Sequence, residues 1–265
     1  MKISRSICIA LSFLLLFSGT AFLFPGCAGE PEDPRDVVYE DMKENLEKSG
    51  ILSANIGLFS KTEKDGSITY GEGGSGVIFK KEGTTYYALT AAHVVSVEGA
   101  ELLVYTVNTE MKSEEIPGID MNVLAQETYD AMYKAEIVRT STRDDLAIIR
   151  FTAEEDLSVA TLADSDPKID DRIMCIGNPN NEWFVVSYGK VTSGMEKFGE
   201  AQGFPSNAMK HSAYIHVGSS GGGVFNEQMQ LIGTVTGGGM SLMRDSFEFG
   251  ALIPASEIRL FLEEE

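Results

Sequence analysis

Cysteine and basic charge are what this 265-residue chain is short of. It has three cysteines, and two of them, Cys8 and Cys27, fall in the N-terminal leader. Only Cys175 is left for the folded part, so a disulfide within the domain is excluded and the core must supply stability. Cys175 stands in the apolar run Ile173–Ile176 and is expected to be buried and inert. Lys and Arg number 21 against 40 Asp and Glu, a formal charge of −19. A surface this acidic does not follow a phosphate backbone or an anionic bilayer by charge. Nucleic acid is therefore not an expected partner, and most of the charge is read as solvated surface. There are three histidines, His93, His211 and His216, with no H-E-x-x-H and no C-x-x-C pair. No metal or other cofactor is expected.

What is present begins with a leader. Lys2 and Arg5 precede the apolar run Ile7–Phe17, and small residues follow. This is the pattern of a secretory signal, too short and wrongly flanked for a transmembrane helix. Leu23-Phe24-Pro25-Gly26-Cys27 resembles a bacterial lipoprotein box, which implies that Cys27 is lipidated. Gly26 and Cys27 fit that pattern; Phe24 and Pro25 depart from it. Ordinary cleavage near Ala28 is the alternative. The lipoprotein reading is preferred, with Ala28–Asp36 as a polar tether. It places the protein in the cell envelope, on the periplasmic or extracellular face, touching the membrane through its lipid.

Val38, Met42 and Leu46 recur at helical spacing and predict a helix over Asp36–Lys48, ended by Gly50. Short apolar strands separated by turns follow. They are expected at 51–59, 76–79, 86–90, 102–107, 135–139 and 146–151. A second set is expected at 172–176, 184–186, 189–192, 213–217, 224–225, 231–236 and 247–252. Glu257–Glu264 is a short terminal helix. Residues 108–133 interrupt the strands as an inserted, helical-looking excursion, and 154–168 link the halves. Many short strands with helices only at the ends point to all-β barrels or sandwiches.

Gly218-Ser219-Ser220-Gly221-Gly222-Gly223 places a serine among glycines between two apolar runs. Serine is a poor nucleophile until a base takes its proton, and its attack on a carbonyl needs N–H donors for the oxyanion. Glycines allow the backbone geometry that turns successive N–H groups to one point. The stretch also matches the G-x-S-x-G elbow of α/β-hydrolases, which needs a following helix and a later histidine; none follows Ser220. Gly71-Glu72-Gly73-Gly74-Ser75-Gly76 matches a dinucleotide fingerprint, but Val77-Ile78-Phe79 continues as strand where that loop opens a helix.

A base for Ser220 must come from earlier in the chain. His93 stands in Thr90-Ala91-Ala92-His93, at the end of a strand. Asp145 stands at the edge of the apolar run Leu146–Ile149. Asp144 is the competing carboxylate and Ser219 the competing hydroxyl. Register with Leu146-Ala147 favours Asp145, and the glycines that follow favour Ser220. These three motifs, in this order, resemble those of trypsin-fold serine proteases. Gly74–Ile78, Ala163–Asp166, Ile176-Gly177-Asn178-Pro179, Gly189–Thr192 and Leu231-Ile232-Gly233 are similar to landmarks of the HtrA/Deg branch.

The resemblance covers about residues 51–262. It implies a two-barrel fold with short terminal helices, the first barrel at about 51–155 and the second at about 165–256. It implies His93 as general base, Asp145 as its orienter, Ser220 as nucleophile, and the Gly218 and Ser220 N–H groups as oxyanion hole. Tyr214, Ile215, His216, Thr236, Gly237 and Gly238 should border the specificity pocket, and His211 is structural or substrate-lining. No acidic residue stands in 213–217, and Val235 occupies the place of a histidine in glutamate-specific relatives. A small or medium apolar residue before the cut is expected.

The chain departs from the branch in several places. The interval from His93 to Asp145 is longer than usual, which the excursion explains. Ser219 stands for the usual Asn and Gly223 for the usual Pro. Ser219 also replaces the aspartate that drives zymogen activation in digestive proteases, so no such activation is expected. No PDZ module is expected after Glu265. The expected function is an exported serine endopeptidase acting on polypeptides in envelope quality control or processing, as monomer or trimer. A protease-fold scaffold and an acyl hydrolase are the alternatives.

Overall fold

The computed structural model describes residues 33–115, 122–198, 206–241 and 246–264. The leader, with Cys27, lies outside them. Helix α1 spans Glu40–Ser49 and ends at Gly50, whose φ of 68° is left-handed, a conformation open to glycine because it has no Cβ. It starts later than Asp36. Arg35 folds back on Asp33 (Nε–Oδ1 2.9 Å) and closes a turn over 34–36. Val38 is left outside the helix and exposed, while Met42 and Leu46 are buried.

The first barrel contains β1 (Asn55–Lys64), β2 (Ser67–Glu82), β3 (Thr85–Thr90) and β4 (Glu101–Tyr105). The excursion follows, with β5 (Ser113–Glu115) paired to β6 (Asn122–Leu124) and a single-turn helix α2 (Gln126–Asp130). Then come β7 (Tyr133–Ser141) and β8 (Leu146–Thr152). Six strands close in the order β1-β2-β3-β8-β7-β4. The G-x-G-x-x-G stretch lies inside β2. A closed barrel leaves no edge to be capped.

The second half contains β9 (Arg172–Gly177), β10 (Val185–Lys190), β11 (Glu196–Phe198), β12 (Ser206–His211), β13 (Gly223–Phe225), β14 (Leu231–Ser241) and β15 (Ser246–Pro254). They form one sheet in the order β10-β9-β13-β14-β15-β12-β11, and a lone bridge between Val191 and His211 brings its ends together. Helix α3 (Ala255–Glu263) ends the fold. Ile56, Val77, Leu89 and Ile149 fill the first barrel in a core that continues to Ile176 and Phe225. Ile173, Cys175, Val224, Val235 and Leu252 fill the second. Each such aliphatic side chain contributes roughly 1.5–3 kcal/mol by leaving water. Cys175 is buried, and burial pushes its thiol pKa up.

Two strand expectations fail. Where 184–186 and 189–192 are expected as two strands there is one, β10 (Val185–Lys190), because Gly189 does not break it. The glycine is where Ala213 crosses, and a Cβ there would lie 2.2 Å from Ala213 N. Residues 213–217 are irregular, and the strand lies just before them, as β12. Ala213 and Ile215 are buried by a loop, not by a ladder, and Val217 is exposed. Ala213 packs on Gly189, and Tyr214 O accepts a hydrogen bond from Ser187 Oγ at 2.7 Å.

The terminal helices cross over. In α1, which precedes the first barrel, Asp41 meets Arg172 of β9 (Oδ2–Nη2 2.6 Å), and Arg172 also reaches Glu227. In α3, which follows the second barrel, the carbonyl oxygens of Phe261 and Glu264 accept hydrogen bonds from Arg139 of β7. The Arg139 guanidinium lies 4.2 Å from the Phe261 ring centroid.

Candidate active site

His93 lies in a 3-10 turn, Ala92–Val95, directly after β3. Asp145 precedes β8 and has φ 51°, a left-handed conformation that costs a non-glycine residue about 1–2 kcal/mol. Its carboxylate is 1% exposed and is held by three donors. Oδ1 accepts the His93 backbone N–H at 3.1 Å, and both oxygens lie 2.9 Å from His93 Nδ1. Thr236 Oγ1 donates to Oδ2 at 2.5 Å. A buried charge is tolerated when its lone pairs are taken up this way. The carboxylate also selects the Nδ1–H tautomer of His93, which makes Nε2 the basic nitrogen. Asp144 is engaged elsewhere, by Ser141 Oγ at 2.6 Å and Arg143 Nε at 3.0 Å.

Across the cleft, residues 212–222 form the loop that carries Ser220. Ser219 N–H donates to His216 O at 2.9 Å, Gly221 N–H to Val235 O at 2.7 Å, and Gly222 N–H to Ser219 O at 3.0 Å. Among the described residues, the N–H groups of Gly218 and Ser220 have no acceptor. Backbone donors in folded proteins are nearly always paired. These two, with one residue between them, have the spacing of a concavity suited to an anion. Gly218 has φ 95°, and a Cβ there would lie 2.2 Å from Asn178 O, so the position requires glycine twice over.

Ser75 of β2 ties this loop to the first barrel. Its Oγ donates to Gly218 O at 2.7 Å, its N–H to Ser220 O at 2.8 Å, and its carbonyl accepts from Thr90 Oγ1 at 2.7 Å. A Cβ on Gly74 would lie 2.8 Å from both Ser220 O and the Val94 side chain. The loop and the His93 turn therefore close on the same glycine. Ser219 is buried, with Oγ accepting from His216 N–H at 3.1 Å. The Ser220 hydroxyl has no hydrogen-bond partner among the described residues. Bonds between a nucleophile and its base are often long before substrate arrives.

The family model for the trypsin-like peptidase domain matches residues 74–233. The chain belongs to the trypsin-like peptidase family. It is similar to the serine protease Do-like HtrA of Bacillus subtilis, 28% identical over 239 residues, covering 84% of this chain and 47% of the relative. A probable periplasmic serine endoprotease, DegP-like, of Rickettsia conorii is 25% identical over 235 residues, covering 86% of this chain and 39% of the relative. This trypsin-like peptidase thus spans less than half the length of those two relatives. Its fold matches the solved serine endoprotease from Yersinia pestis with a TM-score of 0.59 at 22% identity, covering 86% of this chain and 67% of that one.

Beside Ser220, this trypsin-like peptidase has a cavity of about 210 Å³ lined by Ile215, His216, Val217, Gly237, Gly238, Gly239, Phe247 and Phe249. Tyr214 and Thr236, expected at its border, are not in that lining. Tyr214 stands behind it, with its ring 5.6 Å from that of Phe247. Thr236 is spent on Asp145. Phe247 and Phe249 were not anticipated. They arrive through the β14–β15 register, in which Gly239 pairs with Phe249 and Met240 with Phe247.

His211 is fully buried, with neither ring nitrogen hydrogen-bonded among the described residues. Burial lowers its pKa to about 4, and the backbone of Ala213, short of hydrogen-bond geometry, offsets this only in part. A larger cavity of about 520 Å³ carries Asp164, Asp166, Asp170, Asp171 and Glu227 and shares no residue with the site. Asp166 there caps α3 through Ser256 N–H and Oγ. Among the described residues no group of three His, Cys, Asp or Glu is placed to hold a metal ion.

Proposed function

We propose that this chain is an exported serine endopeptidase that cleaves polypeptides through a His93–Asp145–Ser220 triad. Ser220 Oγ attacks the substrate carbonyl as His93 Nε2 takes its proton. The oxyanion enters between the Gly218 and Ser220 N–H groups, worth roughly 3–4 kcal/mol per donor in the transition state. His93 then gives the proton to the leaving amine, and water resolves the acyl-enzyme by the same steps. Asp145 holds the ring and stabilises the imidazolium. The observation that carries this reading is the buried Asp145 carboxylate set 2.9 Å from His93 Nδ1.

The residue before the cut enters the cavity beside Ser220. The described lining contains no Asp, Glu, Lys or Arg, which favours a small or medium apolar residue. A leader ahead of the domain and a relative whose name places it in the periplasm support an envelope location. Lipid on Cys27 would tether the protein there, and exposed or misfolded envelope proteins are the substrates. The test is cleavage of unfolded casein and labelling by a fluorophosphonate, for wild type and Ser220→Ala. Wild type should do both and the variant neither; equal cleavage by the two, or no reaction by either, overturns the reading. Palmitate labelling lost in Cys27→Ala tests the tether.

A further inference from the structure

The direction of the Gly218 N–H is set by the peptide that carries it. That peptide is planar and trans, so its N–H points opposite to the Val217 carbonyl. Val217 O accepts a hydrogen bond from Asn180 N–H at 2.9 Å. The Gly218 N–H is therefore turned away from the loop that contains Asn180, and turning the peptide over would break this bond and remove the donor. Asn180 presents its N–H from a left-handed conformation, φ 51°, and Phe184 a few residues on has φ 53°. Two such residues in one short loop need support from outside it.

That support has two parts. Asn178 Oδ1 accepts from Phe184 N–H at 2.8 Å, and its Nδ2 donates to Ser75 Oγ at 2.9 Å. The rings of Trp183 and Phe184 meet Tyr105 edge-on at 5.3 and 5.7 Å. Tyr105 and Phe59 are buried, and Phe59 in turn meets Tyr129 edge-on at 5.5 Å. Tyr129 belongs to the excursion between β4 and β7 and stacks on Tyr70 at 3.6 Å. Met132, from the end of the excursion, is buried in the same cluster.

Resting on the peptidase reading above, we infer that the excursion positions the oxyanion donors. Tyr129 and Met132 brace the aromatic cluster, the cluster holds the Asn178–Phe184 loop, and that loop fixes the Val217–Gly218 peptide. Tyr129 is a positioning residue, acting through Phe59, Trp183 and Asn180.

Trp183 is the chain's sole tryptophan, so its emission reports on the cluster. Tyr129→Ala is measured on a peptide amide substrate, with a peptide aldehyde whose adduct places an oxygen between the two donors. We expect kcat to fall about tenfold, the scale of a lost aromatic pair. KM should stay within about twofold, aldehyde affinity should fall with kcat, and Trp183 emission should shift to the red. Tyr129→Phe restores all of these. Tyr129→Leu, which keeps apolar volume, should give a smaller fall and replaces the alanine variant if that does not fold. A red-shifted Trp183 with unchanged kcat and aldehyde affinity overturns the inference, as does a loss confined to KM. A wild type that neither cleaves casein nor takes the fluorophosphonate overturns the peptidase reading and this inference together. An active wild type matched by Tyr129→Ala overturns this inference alone.

Discussion

Around Asp145 the contacts are made by a side-chain carboxylate, from His93 and Thr236. Around Ser220 most are made by main chain, with the Ser219, Gly221 and Gly222 N–H groups each spent on a carbonyl. The first half of the site depends on which side chains are present. The second depends on which are missing, since glycines at 218, 221 and 222 lie where a Cβ would meet backbone at 2.2–2.4 Å. An arrangement built from side chains fails by losing a charge or a donor. One built from main chain fails when something is added to it.

That difference is open to experiment. Asp145→Asn should have the largest effect, lowering kcat/KM by about 10⁴ through the wrong histidine tautomer, with the thermal midpoint little changed. Gly218→Ala adds only a methyl group, yet should cost roughly 10²–10³ in kcat, the scale of one lost oxyanion donor. Fluorophosphonate labelling rates check it, and a near-normal rate would mean that the loop is not held as rigidly as its main-chain bonds imply. Thr236→Val removes one of the three donors to Asp145 and should reduce kcat about tenfold, the worth of a hydrogen bond to a charged group.

His211→Gln should leave activity near wild type at pH 7 and change acid stability instead. His211 is neutral when folded, with a pKa of about 4 against 6.5 when exposed. Between those values the unfolded chain binds more protons, so stability falls as pH drops from 6.5 towards 4 and changes no further below. The wild type should lose up to about 2 kcal/mol between pH 7 and 5 from this group. The variant should be flatter in urea titrations at the two pH values.

Much of this was legible in the sequence, but unevenly. His93, Asp145 and Ser220 stand in contiguous motifs, because each is delivered by the end of a local turn. Asp144 and Asp145 could be ranked only by register, and the structure gives them separate partners. The contact of Thr236 with Asp145 was not legible, because the sequence places it beside Gly237 but does not say that its hydroxyl turns across to Asp145. Phe247 and Phe249 were out of reach, since they come to the cavity by the pairing of β14 with β15. The 213–217 run reads as strand because it is apolar, yet Ala213 is buried by crossing Gly189 and Val217 is exposed. Helix α1 was misplaced at its start by the Asp33–Arg35 turn, which no apolar spacing records.

The crossed helices have a consequence for how the molecule comes apart. Helix α1 is fastened at Arg172 and helix α3 at Arg139, each on the barrel farther away in sequence. The two barrels are thus buckled together at both ends, and a protease that nicks the linker near 153–171 should leave the pieces associated and co-migrating. Such fastenings form late, because they join residues well over a hundred positions apart. Folding should therefore be slow, and unfolding a single event in which neither barrel survives alone.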